Sequence, residues 1–559
     1  MQPRTVTPFF TVTMLASTLT VFTIVGSLLQ LGQAADQPAY QPCPLLRAYY
    51  DAPVLSKSSD AVKSLAKDFD AVFDNLTLAG GSDVFGAITP NTTSFSVVLF
   101  LGTDKATDDS ILYTFHYTAP QAKKDVKVGD DTVFALGSLT QLFTVYTWLA
   151  EMGVETWNDP ITKYLPELKS TACGGNMTVD WEGVTIEALA GHMAGIARDS
   201  DACELGSPCD KDAFITSFAS LPPIFHPNTT PLFSHAAFQL LALALTSYTN
   251  TTSFPSLLST TLLTPLNLTH TSLLSPSTSS SLFPLGNPLP PSTPGSPASL
   301  SLLSTPHDLA RLGSSILSAT LLPPHTTWRW LSPQSADTSN IRNGVAAPWE
   351  VYRAPLNEQL ILDILLKSGS VGAYSSYLGL VPHVGVGFAI LAHDETGRAA
   401  DLNVYADVVA DQLAGILKIA AVQFAGRYAG TYNATDGEGE GTAVFGIDTW
   451  PGLVVRNLTM AGGRDVRAEV AKAAGVELGS LDWRVYPTNV WSKDGKRHQF
   501  VGVVQDRGAL VDAGTPTCTT WLDGVVQGVG GRVVFELDDS GKAVRVEVDG
   551  VQGSWDRGD

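Results

Sequence analysis

Residues 367–382 read KSGSVGAYSSYLGLVP, a lysine, a serine and a glycine set against an apolar run. EQLILDILLK leads into this stretch, SSYLGLVP lies inside it and VGVGFAILA follows it. Three apolar runs joined by SGSVGAY and HVG predict a β-meander from about 359 to 392. Far upstream, SFSVVLFLGTD (94–104) and ILYTFHYTA (111–119) read as an antiparallel pair around a polar turn. Leu139, Leu142, Phe143, Tyr146 and Leu149 recur at helical spacing over 138–151. SHAAFQLLALALTSY (234–248) is apolar nearly all round, which predicts a buried helix. Helical character is also expected from Leu45 to Leu76, over 184–199 up to a terminating glycine, and around 403–422. Residues 251–335, rich in Ser, Thr, Leu and Pro, are expected to form irregular glycosylated surface.

The early and late strands can share one antiparallel sheet with helices packed on it. From about Gly426 the pattern is β throughout, and GRVVFEL and AVRVEV flank DDSGK, a hairpin signal. The expected fold is therefore α/β (α+β): a sheet from N- and C-terminal strands flanked by helices, a helical subdomain, and a separate C-terminal all-β sandwich or barrel. The expected boundaries are a signal peptide at 1–35, a main domain at 36–425 with the helical subdomain inserted at about 150–335, and a β domain at 426–559.

Composition limits what such a chain can do. A 44% hydrophobic content over 559 residues supports large cores. A net charge of -20 argues against nucleic acid and anionic lipid surfaces as partners. Arg4 precedes an uncharged apolar run from Phe9 to Leu31, followed by small residues suited to cleavage near Ala34 or Ala35. A cleaved signal, secretion and no membrane association thereafter are expected, with an uncleaved anchor as the rival. Eight N-x-[ST] sequons agree with secretion: Asn75, Asn91, Asn176, Asn228, Asn250, Asn267, Asn433 and Asn457. Of the five cysteines, Cys203 and Cys209 are close enough in sequence to pair. Neither C-x-x-C, H-E-x-x-H, G-x-S-x-G nor a nucleotide fingerprint occurs, so no metal and no cofactor is expected.

Three local signals fall in one order: Ser138 at the start of a helix, FSHAAF before a buried helix, and KSGSVGAYSSYLGLVP opening the late meander. In that order, with the echoes DPITKYLPEL, TIEALAGHMAGI and STPHDLARLGSSIL, the chain resembles the serine β-lactamase, penicillin-binding protein and esterase superfamily over roughly residues 90–420. It is most similar to secreted class C-like fungal proteins that carry an extra C-terminal β domain.

The resemblance implies Ser138 as nucleophile, Lys367 as a residue that binds a substrate carboxylate or tunes the field at Ser138, and the backbone N–H groups of Ser138 and Ser370 as an oxyanion hole. Two positions depart from the pattern. The S-x-x-K lysine is Gln141, which has no useful basicity. The Tyr-x-Asn element is Phe233-Ser234-His235, so the phenolic oxygen is missing. His235 either substitutes as base or fills the amide's place with a local hydrogen bond. Ser138 has a simpler reading as an N-cap, and Gly369 is expected to admit close approach of a substrate. Two functions follow: hydrolysis or acyl transfer of small esters or amides through an acyl-serine, or a pseudoenzyme that binds a ligand without turnover. Oligomeric state is left open. Trp450, Trp483, Trp491, Trp521 and Trp555 are read as core residues, with carbohydrate binding as the alternative.

Overall fold

The computed structural model describes residues 40–558, apart from 41, 104–109, 172–177, 252, 276, 279–282, 287–288, 291, 333–335, 357–359, 436–439, 510–523 and 526–527. The signal-like segment, Asn176, Cys173, Cys518 and Trp521 lie outside the described residues. The chain divides into two compact units, one spanning Leu46–Ala429 and the other formed by Gly430–Asp559 with the residues before Leu46.

The larger unit is built on an antiparallel sheet of eight strands among the described residues. Its strands are β1 (Thr93–Leu101), β2 (Ile111–Tyr117), β3 (Glu350–Pro355), β4 (Ile361–Val371), β5 (Tyr374–Val381) and β6 (Val386–Asp394). They lie in the order β2-β1-β6-β5-β4-β3, and the short strands Asn343–Val345 and Ala336–Asp337 complete the far edge. The β1–β6 pairing, from Thr93↔Asp394 to Leu101↔Val386, joins the early strands to the late meander as expected.

Alternation explains the layers. Phe95, Val97 and Leu99 of β1 belong to one core, and Val98 and Phe100 to another. Successive side chains leave opposite faces, so a strand apolar at both parities must be covered on both sides. One face carries α1 (Asp60–Ala79), packed through Val62, Leu65, Phe69 and Phe73. The same core takes in Tyr405, Val408, Leu413 and Ile416 of the long helix Asn403–Tyr428. On the other face lie α2 (Thr140–Met152), α3 (His235–Thr249) and α4 (Pro306–Leu317), with the short helices and loops of the central segment.

Several sequence expectations need correction. The first helix begins at Asp60 rather than Leu45, where Ser59 accepts the Val62 N–H as its cap. The 184–199 segment holds only the short helix Ile186–Ala190, which Gly191 ends. Residues 251–335 are not merely irregular surface, because α4 lies there and packs Leu309, Leu312 and Ile316 into the core. The meander's first connection is shorter than expected. β4 continues through Lys367-Ser368-Gly369-Ser370 to Val371, leaving Gly372-Ala373 as the turn.

The smaller unit is a β-barrel. Its strands are β7 (Gly430–Ala434), β8 (Thr442–Gly446), β9 (Leu453–Leu458), β10 (Leu481–Trp491), β11 (Arg497–Asp506), β12 (Arg532–Leu537), β13 (Ala543–Val548) and β14 (Ser554–Arg557). Antiparallel pairing runs β10-β9-β8-β7-β14-β13-β12-β11, and a further β10–β11 pairing closes the ring. Among the described residues, closure leaves no long unpaired edge. Tyr432, Phe445, Phe500 and Phe535 fill the interior, with ring centroids 4.9 to 6.0 Å apart. Trp483 and Trp555 are fully buried, as their core reading required, whereas Trp491 is exposed.

Candidate functional site

Ser138 sits on the single 3₁₀ turn Gly137–Leu139 that precedes α2. Gly137 takes a φ of +54°, a left-handed conformation that side-chain-bearing residues rarely adopt. A Cβ on Gly137 would lie 2.4 Å from the Ser370 carbonyl oxygen, and one on Gly369 would lie 2.2 Å from the Leu136 oxygen and 2.8 Å from the Ser138 nitrogen. These two glycines therefore let the serine turn press directly against β4. Gly369 is needed for that backbone-to-backbone contact, a requirement distinct from the substrate approach expected of it. The Ser376 hydroxyl donates to the Leu136 carbonyl at 2.7 Å, which fastens the turn to β5.

The same geometry orients two amides. Successive N–H groups of a strand point to opposite neighbours. Ser368 N–H points to the β3 side, where it donates to Glu350 Oε2 at 3.2 Å. Ser370 shares that parity, and β3 pairing ends at Glu350↔Leu366, so the Ser370 N–H lies beyond the end of its neighbour. Ser138 and Ser370 both line a cleft of about 420 Å³ together with Arg198, Phe233, Glu350 and Tyr377. Ser138 is not a helix cap: neither the 3₁₀ turn nor α2 has a side-chain cap hydrogen bond. Its hydroxyl has no hydrogen-bond partner among the described residues.

Gln141 and His235 turn elsewhere. Gln141 Nε2 donates to Ser299 Oγ at 2.8 Å, and His235 Nδ1 lies 2.8 Å from the same oxygen. Ser299, on the short helix Pro297–Leu300, is wholly buried, as is Gln141. A hydroxyl that accepts from the amide has one proton of its own to give, and His235 Nδ1 is the acceptor in reach. That direction places the His235 proton on Nε2. Burial, then the Arg198 and Lys367 charges, pushes the imidazole down to about 4, so it is neutral at pH 7. Gln141 therefore orients Ser299 and not Ser138. His235 makes a local hydrogen bond through Nδ1.

Phe233 and Ser234 complete this wall. Ser234 Oγ caps α3 by accepting the Ala237 N–H, and it donates to the Ala197 carbonyl at 2.8 Å. The Phe233 ring stacks on His192 at 4.6 Å, with Lys367 Nζ 5.3 Å and the Arg198 guanidinium 5.6 Å from its centroid. Two cations over one ring form favourable cation–π contacts where the family's pattern has a phenol. His192 accepts the Ser234 N–H at Nδ1, and burial holds its pKa well below the ordinary imidazole range.

Lys367 is fully buried, and its ammonium is 2.8 Å from Glu350 Oε1. The second Glu350 oxygen accepts from Ser368 Oγ at 2.7 Å. The lysine charge at the third motif is therefore already compensated by a protein carboxylate. Sequence reasoning missed Ser299, Glu350 and Arg198. A lysine inside a central strand is itself a signal for a nearby carboxylate, because a buried cation without one is too costly. Ser299, amid a Ser- and Pro-rich run, has no such signal.

A serine turn wedged against a Lys-Ser-Gly strand, on an antiparallel sheet sandwiched by helices, defines a serine-hydrolase-type site. Residues 106–411 match the beta-lactamase family, and the chain belongs to that family. Residues 420–559 match a second family described as "Beta-lactamase-like-like, C-terminal domain". A beta-lactamase-like protein of Arthroderma benhamiae is 26% identical over 485 residues, covering 77% of this chain and 78% of that protein. A beta-lactamase of Escherichia coli is 24% identical over 317 residues, covering 50% of this chain and 80% of its own length. Among solved structures, a class C beta-lactamase is similar with a TM-score of 0.47 and 15% identity, covering 65% of this chain and 98% of its own. The Cys203–Cys209 disulfide is formed.

Proposed function

We propose that the lactamase-family unit binds small esters or amides at Ser138 and is acylated slowly, with turnover crippled by the loss of a resident base. The observation that carries this reading is the shared bond to Ser299. Gln141, at the position of the family's lysine, and His235, the candidate substitute base, are both bonded to that hydroxyl, and neither makes a hydrogen bond to the Ser138 oxygen. Losing a positioned base costs on the order of 10²–10⁴ in rate. The backbone amides of Ser138 and Ser370, held against one another by Gly137 and Gly369, would still stabilise a tetrahedral oxyanion. A ligand carboxylate would meet Arg198 rather than Lys367, whose charge Glu350 already holds.

The second reading, a ligand-binding pseudoenzyme with no acylation at all, rests on the same commitment of Gln141 and His235. Intact-mass analysis of the full chain after exposure to a fluorophosphonate, a penicillin and a chromogenic ester separates the two. Slow stoichiometric labelling, abolished by Ser138→Ala, supports the first; absence of any adduct in folded protein leaves the second; rapid multiple turnover defeats both.

The unit is further read as part of a secreted glycoprotein. Asn75, Asn91, Asn228, Asn250, Asn267 and Asn433 are exposed. Asn457 is half-buried and donates from Nδ2 to Thr442 Oγ1 at 2.6 Å, so it is a poor acceptor. Glycopeptide mapping of secreted protein tests this, and occupancy at Asn457 with none at the exposed sites would contradict it.

A further inference from the structure

One face of α3 borders a cavity of about 250 Å³ in the helical part of the larger unit. Gln239, Ala242, Leu243, Thr246 and Ser247 line it, three or four positions apart and so on one side of the helix. Phe254, Leu273 and Pro297 supply apolar wall, and the loop that ends at Cys209 supplies the rest. The Cys203–Cys209 disulfide closes that loop. Gly295 N–H donates to the Cys203 carbonyl at 2.8 Å, Leu205 N–H to the Thr293 carbonyl at 2.9 Å, and Ser301 Oγ to the Leu205 carbonyl at 2.7 Å. The loop is therefore fastened to the chain on both sides of the Pro297–Leu300 helix, so the cavity is built before any ligand arrives.

Gln239 is the polar feature of this cavity. It is only 3% exposed, and its Oε1 accepts the Ala298 N–H at 3.2 Å, which fixes the plane of the amide. Its Nε2 makes no hydrogen bond among the described residues. A primary amide nitrogen carries two N–H donors. Buried donors without partners are rare in folded proteins, and one on a cavity wall has only the cavity's occupant to meet. Nearby, Thr246 Oγ1 gives its proton to the Ala242 carbonyl at 3.0 Å, so it has none to offer a ligand. Lys211 is the one charged residue in the described lining, and Glu167 holds its ammonium at 2.8 Å.

Size, charge and donor pattern together select a ligand class. An apolar cavity of about 150 Å³ holds a benzene molecule, so this one has room for an aromatic ring with a short polar substituent. An ionic ligand would be desolvated without a free counter-charge, which favours a neutral one. A stranded amide donor calls for an acceptor, and a carbonyl oxygen with its two lone pairs is the compact choice. We propose that this cavity binds a small neutral aryl carbonyl compound, its ring against Leu243, Phe254 and Leu273 and its oxygen accepting from Gln239 Nε2. Gln239 lies one helical turn beyond His235, and Ala298 immediately precedes Ser299, so the ligand would sit behind the hydroxyl that Gln141 and His235 share. The cavity has no residue in common with the Ser138 cleft, so the inference stands apart from the acylation proposal.

The test uses the full chain with acetophenone and N-methylbenzamide as probes, ethylbenzene as the control without an acceptor and benzoate as the charged control, read by saturation-transfer NMR and calorimetry. At least one carbonyl probe should bind at millimolar concentration, and both controls should bind about fivefold more weakly or not at all. Gln239→Leu removes the donor and should weaken the carbonyl probe about fivefold while leaving ethylbenzene no weaker than before. Ser247→Trp, at an exposed position of the lining, should obstruct the cavity and weaken the probe by about the same factor, which covers the case of a poorly folded Gln239 variant. Failure of both carbonyl probes, a control that binds as tightly as they do, or native affinity in either folded variant would overturn the proposal.

Discussion

Replacing Ser299 with alanine deletes the oxygen on which Gln141 and His235 converge. Both contacts are 2.8 Å, and Ser299 and Gln141 have no solvent access. Gln141 Oε1 already has no partner among the described residues, so the substitution leaves the whole amide unsatisfied. One buried donor stranded costs about 1–3 kcal/mol, and the lost imidazole bond adds about 1 kcal/mol, giving a destabilisation of about 2–4 kcal/mol. Adding Gln141→Leu removes the stranded amide and should recover about 1–2 kcal/mol, a coupling that a double-mutant cycle in urea would read. The companion readout is fluorophosphonate labelling of Ser138. Because neither Gln141 nor Ser299 bonds Ser138, labelling of the folded fraction should stay within about threefold of native, far from the 10²-fold or greater loss on removing a working base. A stability change below about 0.5 kcal/mol, or labelling slowed a hundredfold, would refute the assignment of these residues to each other.

Three further outcomes follow from the same contacts. Gly369→Ala places a Cβ 2.2 Å from the Leu136 oxygen and 2.8 Å from the Ser138 nitrogen, so it should abolish Ser138 labelling while the circular dichroism spectrum persists; native labelling would contradict the close-packed turn. Glu350→Gln strips the carboxylate from the fully buried Lys367 and should cost about 2–3 kcal/mol in urea, less than a wholly buried pair because Glu350 is 35% exposed. His235 has a folded pKa pushed down to about 4, below the unfolded value near 6.5, so the unfolded chain binds more protons between them. Stability from this group is complete above about pH 6.5 and falls as the pH drops toward 4, by about 2 kcal/mol at pH 5. His235→Asn should flatten that part of the stability–pH curve, and an unchanged slope would argue against the buried neutral imidazole.

Much of the fold was legible because alternation and helical periodicity are local. The β1–β2 pair, the meander, α3 and the 532–548 hairpin all announce themselves within short windows of sequence. Ser138, Phe233, Lys367 and Ser370 were legible as motif members, and they do meet around one cleft or its lining. What stayed hidden depends on contacts between distant residues. Ser299 lies 158 positions from Gln141 and 64 from His235, and no spacing rule links them. The short turn after β4 was misread because Ser and Gly look like a loop. There the glycine serves backbone contact with the Ser138 turn, and the serines serve Glu350 and the strand. Barrel closure was likewise hidden, since the β10–β11 register is set only when every strand between them is in place.

On the proposed reading, no side chain among the described residues takes the proton of Ser138. The pH dependence of Ser138 labelling by a fluorophosphonate, followed by intact mass between about pH 5 and 9, tests it most directly. Without a resident base the rate should climb steadily, about tenfold per pH unit, with hydroxide as the only base available. A sigmoidal profile that levels off above the pKa of a single group, and that disappears in His235→Asn or Lys367→Ala, would contradict the account.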